Sequence, residues 1–481
     1  MRDVALLLAV AWPVAGYTQA PGGLSIPGGE SSSGSSSPFQ LSQQQTTGAS
    51  YKGSVSEEKP TSGTLQLSLD RAIQMGLQHN LGLVLNSTNQ TAAGGQKLEQ
   101  LQSLLPTVNG KITEAVQQTD LQAEGLRIPG FPAIIGPYGY TDIRATLNWT
   151  LVNVASLQNY LAAKHNFQSA RLSLQDARDE VVLTVGNAYL TVIADEGLVA
   201  AAQAQLDTSR ISLDQAVQNH RAGTAPLIDE LRAKVDYQTQ QQALIASKNA
   251  YEKDKLALAR AIGLPLAQDF GLSDQAPYVQ LDSVDPETAV KEAIDNRYDY
   301  KAMQERLLAA EKARKAATAE RYPTLAFEGD YGDIGVNVLH SHGTGDAVGT
   351  LTVPILNEGK FRGDATQAQS QLEQERARLS DLRGQISADV RDSILDIQSA
   401  QKQVQVARNN VDLAKEELSE AQQRYAAGVA DNLAVSQAQQ SLAQADNQYV
   451  NSLYQHNIAK LSLARALGVA EKNYKAYVGG K

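Results

Sequence analysis

There is no cysteine in the 481 residues. That absence removes disulfide scaffolds, thiolate zinc sites and cysteine nucleophiles, and no lipid anchor on an N-terminal cysteine is expected. Aromatic residues are scarce at 5%. Leu, Ala, Gln, Ser, Asp and Glu dominate instead, a balance that favours long helices over a compact mixed core. Positive charge is in deficit: 42 Lys and Arg stand against 52 Asp and Glu, a formal net charge of −10. Such a chain is ill suited to wrapping a phosphate backbone, so no nucleic-acid partner is expected. Long hydrophobic runs are missing too. Beyond the first twenty residues, no stretch approaches the ~18 apolar residues of a membrane helix. Neither a phosphate loop nor a Gly-x-Ser-x-Gly elbow occurs. No enzyme chemistry and no cofactor are therefore expected. His340 and His342 have a metal-like spacing, but they lie in a predicted loop without a third donor, and no metal is expected there.

What is present begins with an apolar run, VALLLAVA, at residues 4–11. Trp12, Pro13 and the small residues Ala15, Gly16 and Ala20 follow it, so residues 1–20 read as a secretory leader. Residues 21–63 are rich in Gly, Ser, Gln, Thr and Pro. Such a segment cannot bury enough apolar area to offset its ordering entropy, which predicts a linker without fixed structure.

The remainder is written twice. Val185, Val192, Val199, Leu206 and Leu213 recur every seven residues, and adding 205 to each gives Val390, Ile397, Val404, Val411 and Leu418. The same shift carries Gly223 onto Gly428, and the LARAIG ending at Gly263 onto the LARALG ending at Gly468. A shift of 204 carries Asn153 onto Asn357, and one of 217 carries Ala72 onto Ala289 and Leu105-Pro106 onto Tyr322-Pro323. Fixed-period self-similarity of this kind marks an internal repeat. The expected units are residues 64–270, residues 271–470 and a tail at 471–481.

Each unit predicts the same order of elements. A helix (68–104, then 286–321) ends at a proline, which cannot extend the hydrogen-bond ladder. Two strands follow around a loop (107–119 and 140–151, then 324–336 and 345–353). A very long helix (154–221, then 358–427) turns at a glycine into a returning helix (226–262, then 432–467). A rod of about 68 residues spans ~100 Å. No compact domain surrounds it, and its seven-residue apolar spacing demands partner helices alongside. In the strands, Ile143, Ala145, Leu147 and Trp149 alternate with Asp142, Arg144, Thr146 and Asn148. That period of two gives one apolar and one polar face, at a length suited to a tilted membrane strand. Four such strands cannot close a barrel, and lipid tolerates no open edge. If the strands enter a membrane, several copies must combine. Trp149 is expected at the junction between strand and long helix.

The two helix–helix turns read HRAGTAPLIDELRA at 220–233 and YAAGVADNLA at 425–434. Together with the duplication, the Leu-Pro and Tyr-Pro helix ends and the Asn153 and Asn357 junctions, they make the chain resemble the TolC-like outer-membrane efflux protein family over residues 64–470. The resemblance implies a mostly helical chain with some β structure. Three copies would form one twelve-stranded outer-membrane β-barrel, four strands from each, continued by a helical barrel in the periplasm. It implies the passive outer-membrane exit channel of a tripartite efflux or type I secretion system, in contact with lipid, a periplasmic adaptor and, through that adaptor, an inner-membrane pump. Family tips carry an Asp six residues beyond the glycine, which is Asp229 here, and an aromatic residue before it, which is Tyr425 in the second tip. Such residues pair to hold the entrance closed. In the second tip Ala434 stands where the family has Asp, no Arg follows Gly428 by two residues, and Asp431 is the substitute charge. Ala222, Gly223, Thr224, Ala427, Gly428 and Val429 match the adaptor-docking turns. The residues alone allow plainer roles: turn glycines, and for Asp229 an exposed acid favoured by a helix dipole. Two other classes remain open at this point, a soluble coiled-coil structural protein and a periplasmic adaptor.

Overall fold

The computed structural model describes residues 50–55, 60, 63–123, 125, 129–274, 278–281, 284–430 and 432–478. The expected leader, residues 21–49 of the expected linker, and Asp431 lie outside the described residues. After a 3-10 turn (Ser50–Lys52), β1 (Leu65–Leu67) leads into α1 (Leu69–His79) and α2 (Leu81–Gln102). Strands β2 (Thr107–Asp120) and β3 (Ile134–Val152) precede the long α3 (Val154–Arg221) and the returning α4 (Leu227–Ile262). The order then recurs: β4 (Phe270–Leu272), α5 (Pro286–Asn296), α6 (Tyr298–Ala319), β5 (Thr324–Gly335), β6 (Ser341–Thr352), α7 (Glu358–Ala426) and α8 (Asn432–Ala466). A last helix, α9 (Ala470–Val478), lies in the expected tail.

Three expectations are corrected. The helices expected at 68–104 and 286–321 are each broken once. At Asn80 the backbone is extended (φ −64°, ψ 130°). Its side-chain oxygen caps α2 through Gly82 N, while its amide group donates to Tyr51 O at 2.6 Å and Ala261 O at 3.2 Å. At Arg297 (φ −57°, ψ 126°) the guanidinium reaches Asp299 at 2.7 Å and Asp389 at 2.9 Å. In both places long-range polar bonds stabilise a kink that intrinsic helix propensity opposes. The 63-residue limit of the linker is also too late, because Tyr51 is buried and packs over Gly82. The tail carries a helix of its own: α9 buries Ala470, Tyr474 and Val478, and Arg178 grips its Glu471 at 2.6–2.9 Å.

The helices build two linked hairpins around a shared waist. The α3 helix starts where Asn153 accepts a hydrogen bond from Ser156 N at 3.0 Å. One stretch of α3 is long and apolar enough to cross a membrane by length and composition alone, which the sequence reading did not register. Its Val181, Val182, Val185, Tyr189 and Val192 are consumed by the waist core, together with Leu67, Ile73, Leu258, Ile262 and Leu461. A second core joins Ile386, Val390, Ile394 and Ile397 of α7 to Ala293, Leu463 and Leu467. Between them lies a half-buried ion cluster in which Arg465 meets Asp176 at 2.8 Å and Glu180 at 3.2 Å. Burial pushes Asp176 up to about 6 despite that cation. A short parallel pair, β1 with β4, adds a stitch between the repeats.

Candidate functional site

The four long strands form an antiparallel sheet in the order β2-β3-β5-β6. Its register decides which side chains share a face, since directly paired residues point the same way. Val108 pairs with Leu147, Ile112 with Ile143, Ala145 with Tyr331, Trp149 with Phe327, and Leu325 with Leu351. That face is therefore mostly apolar, interrupted toward the strand-connecting loops by Glu114 and Asp333, and on it Val108, Ile112, Ile143, Trp149, Tyr331 and Leu351 are exposed. The opposite face carries Asn109, Lys111, Arg144, Thr146, Glu328, Asp330, Thr344 and Asp346. There Arg144 bonds Asp142 at 3.2 Å, Thr344 at 3.2 Å and Asp330. An apolar band outside and a polar face inside is the pattern of a water-filled membrane barrel. The outer strands β2 and β6 each leave one edge unpaired in this sheet. Trp149 donates to Leu104 O at 3.2 Å, which ties the strand to the segment just after α2 and not to the long helix of the expected junction. His340 binds Asn337 at 2.9 Å, and His342 lies in β6 opposite Ile334.

At the far end of the long helices the two turns have one geometry. Ala222 and Ala427 end their helices, and Gly223 (φ 72°) and Gly428 (φ 71°) take the left-handed conformation. Thr224 N then bonds Asn219 O at 2.9 Å, and Val429 N bonds Arg424 O at 3.0 Å. These bonds close the final carbonyls in the Schellman pattern. Both glycines have open space where a Cβ would stand, so the backbone alone demands glycine.

The sequence-predicted gate residues come only partly together. Asp229 is 5% exposed, which corrects the plain reading of it as an exposed helix-start acid. Its carboxylate lies 3.8 Å from Arg232, and its carbonyl accepts from Asn432 at 3.4 Å. Tyr425 does not pair with Asp229 here; its hydroxyl accepts from Asn219 at 3.4 Å. These bonds belong to a polar ladder that joins the two hairpins. Its other rungs are Gln439 to Ser212 at 2.8 Å, Ser436 to Asp236, and Gln205 to Asp446 at 3.5 Å. Across the first turn, His220 contacts Glu230 at 2.6 Å. Beside the ladder lies a groove of about 510 Å³, lined by Ile211 and Ser212 of α3, Gln422 and Tyr425 of α7, and Val435 of α8. Sequence reading missed Asn219, Ser212, Asp236, Ser436 and Gln439. Short polar residues on a helix give no signal of the partner some 200 positions away.

The model of the outer membrane efflux protein family matches residues 73–264 and 289–469, most of the chain. Curated relatives include the probable efflux pump outer membrane protein SepC of Pseudomonas putida, 25% identical over 70% of this chain and 72% of its own. The antibiotic efflux pump outer membrane protein ArpC of the same species is 21% identical over 83% of both chains. Among solved structures, the outer membrane protein VceC of Vibrio cholerae covers 83% of this chain and 96% of its own, with a TM-score of 0.74 and 20% identity. The Campylobacter jejuni CmeC outer membrane channel covers 89% and 95%, with a TM-score of 0.76 and 16% identity. The fold is thus TolC-like, and the soluble coiled-coil and adaptor readings fall away. From the two-faced sheet, the paired long hairpins and these likenesses, the chain belongs to the outer membrane efflux protein family and is an outer-membrane channel subunit of an efflux system.

Proposed function

We propose that three copies of this chain assemble into one conduit, with a twelve-stranded barrel in the outer membrane and a helical tunnel in the periplasm. The observation that carries this reading is the pair of free edges, β2 and β6, bordering a sheet with an exposed apolar face. An unpaired strand edge in hydrocarbon leaves each backbone group without a partner, at several kcal/mol per group. Pairing β2 of one copy with β6 of the next removes every edge. Residues 1–20 serve as the leader that routes the chain out of the cytoplasm, and the flanking segment to about residue 50 is a tether. Residues 64–270 and 271–470 act as two equivalent staves of the tunnel wall.

Transport through the conduit is passive. A periplasmic adaptor docks on the turns at Ala222–Thr224 and Ala427–Val429 and couples them to an energised inner-membrane pump. Asp229, Tyr425 and Asp431 belong to the closed entrance, with the polar ladder holding the two hairpins together. Because the chain lacks cysteine, cysteine pairs introduced along β2 and β6 report only the contact between copies. Oxidation in outer-membrane fractions is expected to yield a ladder that stops at three chains. A lone, water-soluble mature monomer overturns the proposal. For the gate, Asp229→Ala is expected to give a larger or more often open pore in planar bilayers. Unchanged conductance removes Asp229 from the gate.

A further inference from the structure

Two aspartates meet across the α3/α4 seam on the tipward side of the waist core. Asp195 is about one helical turn beyond the buried Val192, and Asp254 about one turn before the buried Leu258. The Asp195 carboxyl bonds that of Asp254. Its Oδ2 is buried and receives no donor from any neighbouring N–H or hydroxyl. Two ionised carboxylates have only acceptors to offer each other, so a bond between them requires a proton on one. Burial, reinforced by the Asp254 charge, pushes Asp195 up to about 7.

The surroundings leave that proton as the only compensation. On α4, Lys255 is turned to Asp269 at 3.4 Å and lies against the rings of Tyr251 and Phe270. Glu196 on α3 and Glu252 on α4 add negative charge that raises Tyr251. On the α8 side stand Val450, facing Gly197, and Tyr454, whose hydroxyl meets Thr191 at 3.0 Å. Among the described residues the one charge acting on Asp195 is Asp254. The second repeat supplies a control within the same molecule. At the positions 205 residues later stand Ala400 of α7 and Ala459 of α8, both buried. The second repeat has two methyl groups at this level, so the fold does not require a carboxyl pair there.

We infer that Asp195 and Asp254 form a proton-operated clasp: a proton shared between the two carboxyls ties α4 to α3, and its loss to water lets the helices part. Beyond the clasp, toward the tip, α4 buries only Leu244, Ala233 and Asp229. Tipward of the clasp the hold on α4 is therefore largely polar, His220 with Glu230 and Ser436 with Asp236 among its ties. Its bearing on opening rests on the gating reading proposed above; the clasp itself does not. In a parted seam the Asp195 carboxyl faces water and keeps an ordinary value near 4. Between about pH 4 and pH 7 the tied state holds a proton that the parted state lacks, so tying weakens by at most about tenfold per pH unit in that window and levels off above it.

Hydrogen exchange of the full chain in detergent, read by mass spectrometry from pH 4.5 to 8 and corrected for intrinsic exchange, tests this. Peptides spanning 190–200 and 248–260 are expected to lose protection as pH rises to about 7 and then to level off. A peptide spanning 395–405, at the equivalent level of the second repeat, is expected not to lose protection over that range. Asp195→Asn and Asp254→Asn should each abolish the slope. The double variant Asp195→Ala/Asp254→Ala, which copies the second repeat, should do so with the seam still closed, and it covers the case in which a single Asn variant misfolds. A flat wild type, or a slope that survives these substitutions, overturns the clasp. The native mass of the same samples reads assembly separately, so failure of the trimer and failure of the clasp give different results.

Discussion

The two repeats solve one packing problem with different chemistry. In the second hairpin the seven-residue stripe of α7 stays buried from Val390 through Ile397, Val404 and Val411 to Leu418. Small apolar clusters with α8 continue toward the tip, through Ala445 and then Val435 and Ala438. In the first hairpin the same stripe is buried at Val185 and Val192, but Val199, Leu206 and Leu213 are only half-buried. Polar side chains, Gln205 and Ser209, are buried there instead. The waist joints differ as well. The first repeat breaks its short helix with neutral Asn80, the second with charged Arg297 held by two aspartates. An apolar seam is closed at any pH. A polar one holds only while its donors and protons are in place, so the first hairpin is the responsive partner and the second the rigid one.

The largest expected effect tests the joints. Arg297→Ala strands Asp299 and Asp389 beside a buried void, and breaking a buried ion pair costs about 3–5 kcal/mol. Asn80→Ala loses a cap and two buried bonds, about 1–3 kcal/mol. Denaturant unfolding in detergent, followed by helical circular dichroism, compares them; equal losses would erase the distinction. Next, Leu418→Ala in the rigid seam is expected to cost about 2–4 kcal/mol. The equivalent Leu213→Ala, only half-buried, should cost less than half as much. If the two match, the first seam is as apolar as the second.

A smaller effect separates two lysines 205 positions apart. Lys255 is paired with Asp269, whereas Lys460 is fully buried with Val279 O at 3.4 Å, and burial lowers it to about 8. Between about 8 and its ordinary 10.5 the unfolded chain holds a proton that the folded one lacks, so stability rises with pH across that window. Lys460→Met is expected to raise stability at pH 7 by about 1–3 kcal/mol and to flatten that rise. Lys255→Met should give no gain. A gain at both sites would mean that the pairing with Asp269 is worthless. The smallest effect is a test of sameness. Gly223→Ala and Gly428→Ala each place a Cβ in a left-handed turn, at about 1 kcal/mol apiece. Unequal losses would show that the turns are not equivalent.

Local chemistry made much of this legible. The start of α3 at Val154 follows from Asn153 acting as a cap, and its end at Arg221 from the glycine two residues on. The alternation around Ile143 to Trp149 anticipated the two faces of the sheet, and β5 pairs in a register that continues them. The kinks at Asn80 and Arg297 were not legible. Nothing within a few residues of either forbids a helix, and the stabilising partners, Ala261 and Asp389, lie 181 and 92 positions away. The gate reading suffered similarly. Asp229 and Tyr425 were found by pattern, but the residues that meet them, Asn432 and Asn219, are defined only by how one hairpin lies against the other.

By itself the sequence determined the duplication, the rods and their turns, because caps, glycines and apolar periods act within one or two turns of chain. Only the tertiary structure decided which polar side chains become rungs, clasps or buried ions. Hydrogen bonding and desolvation depend on the distance between atoms and on the access of water. Two hairpins 205 residues apart in number acquire both only when they are laid side by side.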